Sequence, residues 1–340
     1  MCNSFKLLTT TILSGAVLAA GLLSAQPAAA VELLINNYLP AKHPFQVAVQ
    51  APWAKDVAKA TNGAVVPKFS TAGVGPAPKN WQTVSKGVAD VVLLANIFQR
   101  KRIQLPGVSE FPLSSPSAEK TSKALWRAHE KFFAAANEYK GNHLAASFVL
   151  TPNIIHSRNK PIRTVADLKG YKIRTASGIT TNIVKTLGGV PVAVGPFKIF
   201  SVMSKGVVDG VAVPSHGLFA FRIMPYTKFT TLIPGGLSNT SFSLLINGKK
   251  WDGLTKTQQA QVMSVSGMAI SNRAGKIDKI AAGALAALKK KGGKVIAPDP
   301  SFVEALRKLA TVAEVDWVKN ANAKGVNGKA ALAFFKDQLK

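Results

Sequence analysis

The hexapeptide Ser85-Lys86-Gly87-Val88-Ala89-Asp90 returns as Ser204-Lys205-Gly206-Val207-Val208-Asp209, and this repeat restricts the fold more than any other feature. In both copies a cationic last turn and a glycine close a helix, and a β-branched strand begins at once. Six residues can coincide by chance. The same helix-stop-strand grammar in two halves of one chain is better explained by two similarly built lobes. Around the repeat, strand and helix patterns alternate. Residues 31–38 read as a strand running into a polar loop, and a helix follows in which Phe45, Val49, Trp53 and Val57 recur every four residues until Gly63. Pro44 suits the first turn of that helix, whereas Pro52 predicts a kink or a later start. A strand over 64–69, a Gly/Pro loop over 73–78, a helix ending at Gly87 and a strand over 88–94 come next. Such alternation gives an α/β class with mostly parallel sheet.

Two later helices are well marked. Thr255 with Gln258 forms a capping box, and apolar residues recur from Val262 through Ile277 to Leu288 before Lys289-Lys290-Lys291-Gly292 closes the pattern. Unbroken, this helix over about 255–291 would extend roughly 50 Å and brace both lobes, with Gly267 and Gly275 as its points of weakness. The last helix is expected to start at Ser301, with Glu304 completing its capping box, and to run to about residue 318.

Residues 1–30 read as a signal peptide: Lys6 supplies the positive start, 7–23 the apolar stretch, and Ala28-Ala29-Ala30 the small-residue cleavage site. The only cysteine, Cys2, would leave with it, so the mature chain has no disulfide, Cys-based metal site or Cys nucleophile. About 310 residues then have to be stabilised by their own core, which is length enough for two lobes. The formal net charge is +27. Such a balance either attracts anions, an anionic ligand or a membrane surface among them, or it is a solvated surface with no specific partner. The scatter of the lysines along the chain favours the second reading. Aromatic residues are 8% of the chain and do not interleave with the basic runs, so nucleic acid is not an expected partner.

No phosphate loop, nucleophile elbow or dinucleotide fingerprint occurs, and the five histidines lack the spacing of a metal site. His129 falls on the apolar face shared with Trp126 and Phe133, a core or boundary position. With 16 acidic residues in all, paired carboxylates are scarce, and Asp90 and Asp209 at strand starts suit a structural role. Arg174 stands apart. The run Asp167-Leu168-Lys169-Gly170-Tyr171-Lys172-Ile173-Arg174 ends a short strand on it, and the turn Thr175-Ala176-Ser177-Gly178 leads into a helix over 179–187. A guanidinium there, beside free helix N–H groups, is a seat for a carboxylate, with an inter-element salt bridge as the plain alternative.

At these residues the chain resembles the solute-binding receptors of tripartite ATP-independent periplasmic (TRAP) transporters, the DctP-like family. The resemblance is carried by the Asp167–Arg174 run, by Leu187-Gly188-Gly189-Val190-Pro191-Val192 and by Gly206-Val207-Val208-Asp209-Gly210. Softer matches include Leu39-Pro40, His43-Pro44 and Pro52-Trp53-Ala54. It implies two α/β lobes joined by crossing strands and a long helix: 31–151 with 240–275 as lobe I, and 152–239 with 276–340 as lobe II. It also implies a periplasmic monomer that holds an organic acid on Arg174 and delivers it to membrane permease subunits, with no cofactor and no catalysis. The chain departs from the family at two places. Lys198 beside Phe197 stands where many members have Glu, and Val211-Ala212-Val213-Pro214 followed by Ser215 and His216 replaces a Gln-Glu-Asn-Pro run. An apolar group thus replaces a polar one. The expected ligand is a monocarboxylate with an aromatic, branched or 2-oxo remainder, ahead of a C4-dicarboxylate; a sensor of organic anions and an enzyme using the same cleft are the other classes.

Ligands sit beyond the carboxyl ends of strands in open α/β sheets, which nominates further residues. These are Asn37 and Tyr38 after the first strand, Asn96 and Phe98 after the next, Thr151 and Asn153 near the crossover, and Ser215 and His216 after the Asp209 strand. Loop capping or core filling is the alternative for each. Arg102 lies where the family often has an arginine, and the surface is its alternative place.

Overall fold

The computed structural model describes Met1, residues 30–39 and residues 43–340. Residues 2–29 of the expected signal peptide, Cys2 included, and Pro40 lie outside the described residues. The first strands are β1 (Val31–Ile35), β2 (Val65–Phe69), β3 (Val91–Ala95), β4 (Asn142–Val149), β5 (Ile154–Ser157) and β6 (Lys172–Thr175). They are followed by β7 (Val190–Ala193), β8 (Gly210–Val213), β9 (Phe229–Thr231), β10 (Ser241–Asn247) and β11 (Lys294–Ile296). Two sheets result, β2-β1-β3-β10-β4 and β11-β9-β5-β8-β6-β7, one in each lobe. Strands such as β3, Val-Val-Leu-Leu-Ala, are buried throughout, as a sheet covered on both faces requires.

The two sheets repeat one plan. β2-β1-β3 and β7-β6-β8 are parallel trios, and each is extended by an antiparallel strand, β10 on β3 and β5 on β8. That added strand is one the chain reaches from the other lobe: β5 follows β4, and β10 follows β9. The two crossings touch where Asn153 and Ser238 form an isolated antiparallel bridge.

The repeated hexapeptide adopts one structure twice. Gly87 and Gly206 take φ values of 71° and 70°, a region open to glycine because it has no Cβ. Val88 N–H donates to Thr83 O and Val207 N–H to Val202 O, closing both helices alike. The carboxylate of Asp90 accepts from Leu34 N–H at 2.8 Å, and that of Asp209 from Lys172 N–H at 2.9 Å. Each aspartate's own N–H donates to the carbonyl of the same residue. Both aspartates therefore clasp the neighbouring parallel strand. The strands begin only after them, at Val91 and Gly210, later than the apolar pattern suggests.

Pro52 is accommodated by a change of helix type rather than a kink alone. Gln46–Gln50 is a π-helical turn, and the α-helix Ala51–Ala60 then starts with Pro52 in its first turn, where a missing N–H costs no bond. The long helix expected over 255–291 is two helices, Lys256–Ser264 and Gly267–Lys290. The break falls at Gly267, φ +45°, where a Cβ would lie 2.5 Å from the Trp126 ring. Gly275 does not break the second helix; it makes room for Glu119. At 24 residues and about 36 Å, Gly267–Lys290 still reaches both lobes. Ile270, Ala274 and Ile277 enter the first lobe's core, and Ala284 and Leu288 the second's.

The last long helix, Pro300–Ala323, begins before Ser301 and takes Asp299 as its N-cap residue, so the expected capping box is absent. Proline at the first helical position, with φ already set, starts it instead. Phe302 and Leu306 pack in the second lobe, whereas Trp317 and Ala321, with Ala331 and Phe335 of helix Gly328–Asp337, pack against Leu125 and Phe133 beside the first. No helix among the described residues is long and apolar enough to cross a membrane.

Candidate ligand-binding cleft

Arg174 sits on β6 and is buried, at 4% exposure. Its Nε and Nη2 donate to the Val194 carbonyl at 3.0 and 2.6 Å. Among the described residues no carboxylate lies within salt-bridge distance of it, so the inter-element ion pair does not form. Burial pulls its pKa down to about 10, which leaves it cationic at neutral pH. One carbonyl dipole does not compensate a buried guanidinium, and Nη1 makes no hydrogen bond among the described residues.

Val194 leads directly into Pro196 and Phe197, which form part of the wall of a cleft of about 700 Å³. The first lobe contributes Tyr38, Leu39, His43 and Pro44 from the loop after β1. The second contributes Phe197, Phe200, His216 and the turn Phe219–Arg222. Three of these aromatic rings are open to solvent, Phe197 at 69%, Phe219 at 50% and Phe200 at 46%. A volume of this size with an apolar lining and few polar groups suits a small organic molecule.

Tyr38 and His216 thus lie on the cleft wall, as strand-end reasoning expects. Tyr38 Oη donates to Leu93 O at 3.0 Å, so the ring is fixed, and burial raises the phenol pKa. His216 is buried, and its Nδ1 pairs with Thr151 Oγ1 at 3.2 Å. Burial, with smaller contributions from His43 and His156, lowers its pKa to about 3, so the ring is neutral near pH 7. With Nδ1 engaged, Nε2 is the ring nitrogen left for another partner.

The other candidates have their polar atoms committed to the protein. Asn37 bonds both the hydroxyl and the carbonyl of Ser70, and with Tyr38 it borders a separate hollow of about 470 Å³ under the Gly73–Pro76 loop. Asn96 donates to Ser241 and accepts from Ser243. Asn153 Nδ2 donates to Ser238 Oγ at 3.1 Å, and Ser215 Oγ donates to Ala281 O at 3.1 Å. Phe98 packs against the first lobe's core. Arg102 is exposed, its guanidinium 4.6 Å from the Trp81 ring centroid. Its neighbour Arg100 is the residue that reaches between lobes. Arg100 pairs with buried Glu110 at 2.5 Å, and a Cβ at Gly178 would lie 2.8 Å from its Nε. Gly178 is the N-cap of helix Ile179–Thr186, at the end of the turn after Arg174.

Sequence reasoning missed Arg100, His43, Phe200 and Phe219 as cleft or interlobe residues. Phe200 and Phe219 each lie three residues after one already noted, Phe197 and His216, but no signal in the apolar pattern sets them apart. None existed for Arg100, whose place depends on how close the second lobe comes.

The architecture, two sheets with crossed connections and a cleft between them, is that of the two-lobed extracellular solute receptors. The chain belongs to the bacterial extracellular solute-binding proteins, family 7 (DctP), which it matches over residues 35–316. Its structure superposes, with a TM-score of 0.86, on a TRAP periplasmic solute-binding protein of Bordetella bronchiseptica with bound (R)- and (S)-mandelate. The two are 29% identical over 91% of this chain and 98% of that one. A marine metagenome TRAP solute-binding protein specific for aromatic acid ligands, in complex with 3-hydroxybenzoate, is 27% identical with a TM-score of 0.81, covering 91% and 98% of the two chains. A curated relative, the outer membrane transporter protein TsaT of Comamonas testosteroni, is 29% identical over 90% of this chain and 91% of its own.

Proposed function

We propose that this chain is a periplasmic receptor that captures an aromatic monocarboxylate between its lobes and passes it to TRAP membrane permease subunits, without chemical change to the ligand. The observation that carries this reading is a buried guanidinium with no carboxylate partner among the described residues, tied through Val194 O to the segment whose Pro196 and Phe197 line an aromatic-walled cleft. The ligand carboxylate takes the Arg174 N–H groups that Val194 leaves free, a charge-assisted pair in a site of low dielectric. Tyr38 from one lobe and Phe197, Phe200 and Phe219 from the other enclose the ring. His216 Nε2 faces a polar substituent such as a hydroxyl. Asn37, Asn96, Asn153 and Ser215 hold the frame. A C4-dicarboxylate would need a second enclosed cation, and among the described residues of the cleft wall the cation is Arg222, exposed at the mouth. The aromatic acids bound by the two solved relatives support the same ligand class.

Calorimetric titration tests the reading. Mandelate or 3-hydroxybenzoate is expected to bind far more tightly than succinate or malate. A clear preference for the dicarboxylates overturns the ligand class.

A further inference from the structure

Between residues 152 and 239 the chain carries seven lysines and four arginines against two acids, Asp167 and Asp209. Along the sequence they form no run, but the sheet order gathers them. β6, β7 and β8 are parallel, β5 runs against β8 and β9, and β11 runs with β9. The starts of β6, β7, β8, β9 and β11 and the end of β5 therefore share one edge of the second lobe. Lys169 and Lys172 flank the start of β6, and Lys205 precedes β8. Lys160 follows β5 and Lys228 immediately precedes β9. Lys294 opens β11, after the run Lys289-Lys290-Lys291 at the end of the bridging helix.

All of these lysines are exposed, and among the described residues none has a carboxylate within salt-bridge distance. The two acids nearby are occupied, since Asp209 holds Lys172 N–H and Asp167 holds the backbone N–H groups of Arg163 and Thr164. The equivalent edge of the first lobe is an internal comparison. There Lys250 lies 3.8 Å from Asp90, and Lys86, Lys140 and Lys249 are exposed with no carboxylate within salt-bridge distance among the described residues. The first lobe thus leaves these three lysines open, fewer than the six that flank the strands of the second before Lys289-Lys290-Lys291 is counted.

We propose that the lysine edge docks the second lobe on an anionic phospholipid surface. The edge lies at the opposite ends of the strands from Arg174 and His216, so docking leaves the cleft free. Its exposed cations are lysines, hydrated point charges on flexible stems, which suit dispersed headgroups better than a planar, bidentate partner, while half-buried Arg158 after β5 spends its guanidinium on the Met203 carbonyl. Val190 and Val207 stand exposed among them, at 43% and 51%, and supply apolar contact at the headgroup level. Val207 shares its exposure with its repeat counterpart Val88, at 50%, so Val190 is the apolar contact peculiar to this edge. The proposal is independent of which acid the cleft holds.

Co-sedimentation of the purified protein with vesicles tests it. At low salt the protein is expected to bind vesicles of phosphatidylcholine mixed with phosphatidylglycerol and to ignore phosphatidylcholine alone. Roughly 0.5 M NaCl should release it, because screening then acts within a few ångströms. The combined variant Lys169→Glu, Lys205→Glu, Lys228→Glu and Lys294→Glu is expected to lower partitioning by about a hundredfold. Its melting temperature and its affinity for the cleft ligand should stay unchanged, which shows that it folds. Equal loss in a first-lobe control (Lys86→Glu, Lys140→Glu, Lys249→Glu), equal binding to neutral vesicles, or no binding at low salt overturns the proposal. So does capture by polyglutamate beads without capture by vesicles, which assigns the edge to an acidic protein.

Discussion

At the scale of single residues, the cleft depends on charge state as much as on shape. Arg174→Lys keeps the charge but loses the two parallel donors, and is expected to weaken the carboxylate by about 2 kcal/mol or more, roughly thirtyfold, in a calorimetric titration. Unchanged affinity would remove Arg174 from the site. The buried histidines give a pH dependence whose sign is fixed. His156 and His216 have pKa values lowered to about 4 and about 3, below the ordinary 6.5, mainly by burial. The unfolded chain therefore binds more protons than the folded one between those values. Stability is complete above about pH 6.5 and falls on acidification towards pH 4, by up to about 1.4 kcal/mol per pH unit for each fully buried ring. Chemical denaturation at a series of pH values checks this, and His156→Gln should flatten the slope. A profile that is flat from pH 7 to pH 4 would contradict it.

At the scale of elements, the clasp made by Asp90 and Asp209 is the part of the fold most legible in the sequence. Six repeated residues encode a helix stop, a left-handed glycine and a carboxylate for the next strand, all local interactions that one window of sequence can show. Asp90→Ala and Asp209→Ala are each expected to cost about 1–2 kcal/mol, since each leaves a strand N–H unpaired. The costs should add, because the two sites share no partners. Denaturant midpoints of the two single variants and the double variant measure this, and a strong departure from additivity would mean the lobes unfold through one another. What the sequence hides is contact across distance. The break at Gly267 answers to the Trp126 ring and the place of Arg100 to Gly178, and neither neighbour is near in the chain. The place of Arg174 at a strand end before a turn was readable because its strand and turn are contiguous. Phe200 and Phe219 were not, because helical apolar patterns look alike whether they face a core or an opening. The gathering of lysines at one edge is hidden for a related reason, since residues spread over 130 positions become neighbours only through strand order.

At the scale of the molecule, Phe197, Phe200 and Phe219 describe a cleft that has not closed. An acid touching both lobes favours the closed form by its differential affinity for the two states. The radius of gyration from solution scattering should therefore fall when mandelate is added to a few times its Kd, and should fall much less for Arg174→Lys at the same concentration. An identical curve with and without ligand would exclude closure. The path of Pro300–Ala323 has a practical corollary. Because that helix starts on the second lobe and returns to the first, β1 and helix Gly328–Asp337 ride on the same body. Fluorophores attached to these two elements would hold their separation as solute enters and leaves, a silent pair. Moving one dye to helix Ile199–Ser204 would turn the same protein into an optical gauge of its cargo.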